Sequence, residues 1–306
     1  MGRVVLRRLL YIVPVMVAIS LIVFGLLHLA PGDPALVLAG EDATRADIQQ
    51  IRVNLGLDKP LYVQYGLWAS RVARGDLGRS IITRRPVTAE IRTRIWPTTE
   101  LATAAMVLAT VLGVLIGVVS ATYQYSFVDH LSMVGALLGV SLPIFWVGLM
   151  LIFLFSVELR WFPTGGAAGF RALVLPALAL GAASVAIIAR MTRSSLLEVI
   201  RQDYTRTARA KGLAGRTVIF RHALRNALVP VVTVISLQYG YLLGGAVVTE
   251  TVFSRPGLGR MLVDAIRSRD FPVVQGGLMI LGASFVVMNA LVDVLYAYLD
   301  PRVRYD

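Results

Sequence analysis

Apolar positions in this chain come in long unbroken blocks, and the charged residues are pushed into the segments between them. Residues 9–29, 101–121, 131–157, 173–189, 228–249 and 273–292 contain no Asp, Glu, Lys or Arg. Each block is close to or above the roughly 20 residues a helix needs to cross a hydrocarbon core about 30 Å thick. A charged side chain at mid-membrane costs several kcal/mol, so its exclusion from these blocks is the physical mark of a span. The pattern predicts an all-α membrane protein with six transmembrane helices. The first block follows Arg3, Arg7 and Arg8, as a signal peptide would. It is longer than the 7–15 residues of a secretory apolar region, and Ala30-Pro31 is no cleavage site, so it reads as a retained first helix. Gly113-x-x-x-Gly117 and Gly135-x-x-x-Gly139 have the small-residue spacing that lets helices approach closely.

The long segment 30–100 carries helical patterning of its own. Thr44 and Asp47 resemble a capping box ahead of Ile48, Ile51 and Leu55, with Gly56 as the stop. Pro60 opens a second pattern, Leu61, Tyr65, Trp68 and Val72, ended by Gly75. Pro86 opens a third through Val87, Ile91 and Ile95, which Trp96-Pro97 is expected to stop. Three short amphipathic helices would form an outer cap. The pattern alone does not separate a stabilising lid from a docking platform.

Composition narrows the chemistry. Of 306 residues, 57% are hydrophobic and 16% charged, with a mean hydropathy of +0.72; soluble domains keep about a quarter of their residues charged. The formal net charge of +12 lies between apolar blocks, so lipid headgroups and loop asymmetry explain it better than nucleic acid. There is no cysteine, and His28, His130 and His222 are scattered; no metal site and no cofactor are expected. Orientation follows from the short loops. Segment 190–227 holds nine Lys/Arg, against two in 158–172 and four in 250–272. The loop 30–100 is long enough to translocate regardless of charge, so both termini should be cytoplasmic.

Segment 190–227 is the most informative. Ser194 or Ser195 is positioned to cap a helix through Leu196, Leu197, Ile200 and Tyr204 toward Lys211. Gly212 and Gly215 interrupt it, and a second helix runs through Val218, Ile219 and Leu224 toward Pro230. The small side chains at the corner admit a close protein surface, and the flanking cations can pair with its carboxylates.

The run Asp203-Tyr204-Thr205-Arg206-Thr207-Ala208-Arg209-Ala210-Lys211-Gly212-Leu213, followed by His222, Arg225, Asn226 and Pro230, resembles the coupling loop of ABC importer permeases. It is similar to the dipeptide/oligopeptide/nickel/glutathione branch in particular. Leu29-Ala30-Pro31-Gly32-Asp33-Pro34, Leu55-Gly56-Leu57-Asp58, Gly75-Asp76-Leu77-Gly78, Val252-Phe253-Ser254-Arg255-Pro256-Gly257-Leu258-Gly259 and Asp300-Pro301-Arg302 match in order, so the resemblance covers essentially the whole chain. The general motif opens Glu-Ala-Ala where this chain has Arg206-Thr207-Ala208, a departure expected of the peptide branch.

The resemblance implies a type I importer permease. Residues 1–29 would be tail and first span, and 30–100 an extracytoplasmic cap. Residues 101–300 would form a five-helix core with the coupling loop 190–227, and 301–306 a cytoplasmic tail. Its partners would be a second homologous permease, two ABC ATPase subunits, an extracytoplasmic substrate-binding protein and the lipid bilayer of a bacterial or archaeal cytoplasmic membrane. Residues Asp203, Tyr204, Arg206 to Leu213, His222, Arg225 and Asn226 would couple to the ATPases. The chain has no G-x-x-x-x-G-K-[ST] phosphate loop, and its lysines are only Lys59 and Lys211. ATP hydrolysis would belong to partner subunits, and the chain would not be an enzyme. Peptide is the expected cargo, with a nickel chelate or another small solute as the alternative.

Polar residues inside the spans are candidates for the substrate path: Ser236, Gln238, Tyr239, Gln275 and Asn289. Amides suit a peptide backbone because they both donate and accept. Phe253, Pro256, Gly257, Leu258 and Gly259 are read as part of an outer gate. Asp293, near the end of the last span, is read as structural. Two rival readings are set aside. An ion-coupled secondary transporter would want inverted repeats and buried ionisable groups at mid-span. An intramembrane enzyme would want a catalytic constellation at span depth.

Overall fold

The computed structural model describes residues 2–29 and 44–299. Among these the regular structure is helical, apart from an isolated bridge between Arg79 and Pro86. The helices are α1 Gly2–Leu29, α2 Arg45–Leu55, α3 Leu61–Ala73, α4 Val87–Thr122, α5 Phe127–Ser141, α6 Ile144–Glu158, α7 Arg171–Ile200, α8 Asp203–Ala210, α9 Gly215–Val252, α10 Leu258–Arg267 and α11 Phe271–Leu299. The Ala30–Pro34 and Asp300–Arg302 motifs lie outside the described residues, as do the side chains of Asp47, Ile51, Leu55 and Asp293.

Helices α4, α7, α9 and the 271–291 portion of α11 are long and apolar enough to cross a membrane, and α1 holds an apolar stretch over Ile12–Leu26. The block 131–157, read in the sequence as a single span, is instead two helices bent by 110°. Pro143 has no N–H to continue the ladder and disfavours helical geometry in the residue before it. Leu142 is accordingly extended, at φ −82° and ψ 133°.

Two other expectations are corrected. Trp96-Pro97 does not stop a helix: α4 runs through Pro97 to Thr122. The proline removes one backbone hydrogen bond, and the helix continues because buried polar contacts hold the residues beside it, as described below. Ser194 and Ser195 do not start a helix either, since α7 continues to Ile200. The Ser195 hydroxyl is occupied elsewhere, donating to the carbonyl of Ala227 at 2.8 Å. The break falls at Arg201 and Gln202, and α8 begins at Asp203.

The chain forms two compact units, one of Met1–Trp96 with Gly257–Val294 and one of Pro97–Pro256 with Leu295–Asp306. In the first, α3 lies along α1. The Ser20 and Tyr65 hydroxyls are 2.8 Å apart, and the Phe24 ring meets Tyr65 and Trp68 at centroid distances of 5.5 and 5.8 Å. The core of this unit gathers Val87 and Ile91, Leu258, Met261 and Ala265 of α10, and Val273 of α11. Met261, Leu262 and Ala265 of α10 are buried, whereas Ile266 is 58% exposed. The loop 79–86 is fastened to the start of α11 by Asp270, whose carboxylate accepts from the Ser80 hydroxyl and from the Ile81 N–H.

In the second unit α7 is the central helix. A Cβ on Gly113 would lie 2.8 Å from Ile188, and one on Gly117 would lie 2.5 Å from Thr192. The α4–α7 crossing therefore needs glycine at both positions, as the small-residue motif predicts. In the second such motif only Gly139 packs closely, where a Cβ would lie 3.1 Å from the Ala182 carbonyl, whereas Gly135 faces open space.

Candidate functional site

The elbow between α7 and α9 is built on a dry seat. Val118 and Ala121 of α4, Leu196 and Val199 of α7, and Ala223 and Ala227 of α9 form one buried apolar cluster, joined at its edge by Ile200, Ile219 and Leu224. α8 rests against this base on two small residues, Thr205 at 0% exposure and Ala208 at 7%. The Thr205 hydroxyl lies 2.6 Å from the Gln202 carbonyl and 2.8 Å from that of Ile200. It therefore satisfies the backbone where the chain turns from α7 into α8, and a buried hydroxyl needs such a partner.

Gly212 ends the elbow's first arm at φ +78°, in the left-handed region that glycine enters without a Cβ clash. Its N–H bonds the Arg209 carbonyl at 2.9 Å, and the Leu213 N–H reaches the Ala208 carbonyl at 3.4 Å. This pair of bonds is a Schellman cap, which satisfies the last carbonyls of α8 and turns the chain back. α9 then begins at Gly215 and widens into a π-helical turn over Val218–Ala223. The side-chain amide of Asn226 donates to the Tyr204 hydroxyl at 2.8 Å, bracing α8 against α9.

The structure thus sorts the sequence-predicted residues. Thr205 and Ala208 face the seat. Tyr204 and Asn226 bridge the two arms, and His222 is half-buried in the π-helical turn. Asp203, Arg206, Thr207, Arg209, Ala210, Lys211, Gly212, Leu213 and Arg225 are exposed. Arg206 and Asp203 approach only to 3.8 Å with both side chains in solvent, a pairing worth little. The outcome is a cationic, solvent-facing corner on a rigid apolar base. Such a base can transmit a displacement, because packed interiors deform little.

The residues proposed for the substrate path are dispersed. Ser236 and Gln238 are buried in α9, and the Tyr239 hydroxyl is bound to that of Thr103 at 2.9 Å. Gln275 is buried and Asn289 half-buried in α11, in the other compact unit. Of the proposed gate residues, Phe253 is 1% exposed and packs with Leu175 and Ala179 of α7. Its carbonyl accepts from the Gly166 N–H at 2.9 Å. Pro256 is exposed, and Gly257, Leu258 and Gly259 are buried at the start of α10.

Two buried polar clusters escaped the sequence reading. In one, the Arg193 guanidinium clasps the Asp129 carboxylate, which also accepts from the Ser120 hydroxyl and from the Tyr125 N–H at 2.9 Å. In the other, Arg255 is bound to the Pro97 carbonyl and to Glu100, and the Thr98 hydroxyl to Glu250. Glu250 and Arg255 are 0% and 1% exposed. Opposite charges placed just outside span boundaries were the available signal. Among the described residues, no three His, Asp or Glu side chains gather into a metal-binding group.

Comparison with known proteins agrees with this architecture. Residues 113–305 match the family described as binding-protein-dependent transport system inner membrane component, and residues 1–102 match the N-terminal region of such membrane components. The chain is 46% identical, over 98% of both sequences, to the glutathione transport system permease protein GsiC of Escherichia coli strain K12. It is 45% identical, again over 98% of both, to the dipeptide transport system permease protein DppB of Alkalihalophilus pseudofirmus. Among solved structures, an inward-facing form of the MetNI methionine ABC transporter superposes with a TM-score of 0.60 at 17% identity, over 69% of this chain and 96% of that one. That likeness concerns the fold. The chain is therefore a member of the binding-protein-dependent transport system inner membrane component family, a multi-pass permease of an ABC importer whose ATPase is a separate subunit.

Proposed function

We propose that this chain is one of the two permease subunits of an ATP-driven peptide importer, moving di- or oligopeptides or a glutathione-like tripeptide across the cytoplasmic membrane by alternating access. The observation that carries the reading is the elbow. An exposed corner, Arg206 to Leu213, sits on a base shared by α4, α7 and α9, as a part gripped by a separate motor requires. The names of the GsiC and DppB relatives support peptides as the cargo class.

In this reading six spans cross the bilayer, the bent α5–α6 pair counting as one, with both termini in the cytoplasm. Residues 30–100 form an extracytoplasmic cap toward a substrate-binding protein, and a homologous permease completes the pathway. Closure of two ATPase subunits around ATP draws on α8. The seat carries that displacement into α4, α7 and α9, and rigid-body tilting exchanges inward for outward access. The buried amide of Gln238 lines the path, and the segment Phe253–Gly259 gates its outer mouth.

The test is uptake and copurification together. Cells carrying the whole transport operon should accumulate radiolabelled di- or tripeptide in an ATP-dependent manner, and the tagged permease should bring down an ATPase subunit. A purified assembly without an ATPase, or uptake that survives ATP depletion but collapses with the proton gradient, would overturn the reading.

A further inference from the structure

The first compact unit contains a pocket of about 830 Å³ between α1, the α3 region, the loop 79–84 and the start of α11. Its lining is one-sided. Lys59, Arg71, Arg74, Arg79 and Arg84 all line it, and among the described residues none of these five is seen in an ion pair. The acidic side chain in the lining, Asp76, already accepts from the Gly78 N–H at 2.9 Å. Gln275 also lines the pocket. It is 8% exposed, and its amide nitrogen is buried with no hydrogen-bond partner. A buried donor without an acceptor is rare enough to demand an explanation. Here it adds to five cations in a pocket whose acidic side chain in the lining is Asp76.

The surroundings say where the missing acceptor comes from. Phe24 belongs to the apolar stretch of α1, and with Trp68 it forms an aromatic wall of the same pocket. Aromatic rings of this kind collect at the membrane–water interface. α3 also leaves Leu61, Tyr62 and Leu67 exposed at 57%, 77% and 46%, apolar and aromatic side chains of the kind a membrane interface accepts.

We propose that this pocket binds the phosphate headgroup of an anionic phospholipid, with the acyl chains lying along the apolar stretch of α1. The arginines neutralise the phosphate, a rotation of the Gln275 side chain brings its buried amide to one of the phosphate oxygens, and the aromatic wall meets the glycerol region. An ordinary surface patch would attract anionic lipid only diffusely. The orphaned Gln275 donor makes this a site of defined geometry.

Native mass spectrometry of the purified full-length permease, with the subunits that copurify with it, tests this. The detergent is supplied with equimolar phosphatidylglycerol and phosphatidylcholine. The wild type should retain phosphatidylglycerol about tenfold over phosphatidylcholine, given the attraction each cation exerts on an anionic headgroup. Arg71→Glu with Arg74→Glu should bring the ratio near one, and Gln275→Leu should lower it. Arg160→Glu, outside the pocket, should leave it unchanged. If the charge-reversed protein does not accumulate, Arg79→Gln with Arg84→Gln carries the same prediction. Equal retention of the two lipids by the wild type, or a preference untouched by the arginine variants, overturns the proposal. Displacement of the lipid by millimolar inorganic phosphate would assign the pocket to a soluble phosphate instead, and so would also overturn it.

Discussion

Arg193 and Asp129 face each other through two parallel hydrogen bonds, Nε to Oδ1 and Nη2 to Oδ2, both 2.7 Å long. Sixty-four residues separate them in sequence, and they join the start of α5 to α7. The Asp129 side chain is 4% exposed and that of Arg193 22%, so this is a bidentate, charge-assisted contact in a largely dry setting. Breaking one half strands the other charge. Arg193→Ala should destabilise the detergent-solubilised protein by about 2 kcal/mol or more. The double variant Arg193→Ala with Asp129→Ala should lose less than the sum of the single losses. A double-mutant cycle on thermal melts checks this, and strict additivity would show that the pair is not coupled.

Gly212 is the hinge of the elbow, and its left-handed geometry sets a graded series. Gly212→Asn should keep most transport, because asparagine tolerates that region. Gly212→Val should abolish most uptake while membrane insertion and abundance stay normal, because a β-branched residue at φ +78° is strongly strained. Uptake assays paired with membrane immunoblots decide it. Wild-type uptake by Gly212→Val would remove the coupling role from this corner.

Thr205 offers a test that separates rigidity from contact. The Thr205→Val side chain fits the same space without the hydroxyl, so the Ile200 carbonyl loses that donor, while the Gln202 carbonyl keeps the backbone N–H groups of Thr205 and Arg206, at a cost of about 1 kcal/mol. Tryptic cleavage at the exposed Arg206 and Arg209 should quicken several-fold in this variant, and Thr205→Ser should restore protection. Unchanged proteolysis would mean that the tie does not stiffen α8.

The glycine stripe on α4 predicts a contrast along neighbouring helices. Gly117→Ala forces a methyl to 2.6 Å from the Ala189 carbonyl, which backbone cannot evade without parting the helices. Overpacking of this kind costs about 1–3 kcal/mol. Gly135→Ala, facing open space, should be neutral or slightly stabilising through helix propensity. Melting curves of the two variants check the difference.

The parts legible in the sequence were those governed by local rules. Four of the charge-free blocks fall in helices long and apolar enough to cross a membrane, because lipid tolerates little else, and Gly212 marked the elbow, because its backbone angle excludes most residues. The α4 glycines were found by spacing alone. Prolines were misjudged in both directions. Pro97 was expected to end a helix and does not, while Pro143 was expected to sit inside a span and breaks it. A missing N–H is a fixed local loss, but whether the helix continues depends on distant residues that a local pattern does not contain. The Pro97 carbonyl, for example, is held by Arg255, 158 residues away. Ser195 misled for the same reason, since its partner Ala227 lies on another helix. Both ionic clusters left only a weak signal, because each half, taken singly, is merely a charge near a boundary.

The π-helical turn over Val218–Ala223 sets an azimuth. An α-helix advances about 100° per residue, so one residue absorbed into a wider loop rotates everything before it by roughly that angle about the helix axis. The compass bearing of the cationic corner, relative to the fixed remainder of α9, is thus dialled by a single residue. Shortening that stretch by one would leave every remaining side chain chemically intact and swing the corner to a different quadrant.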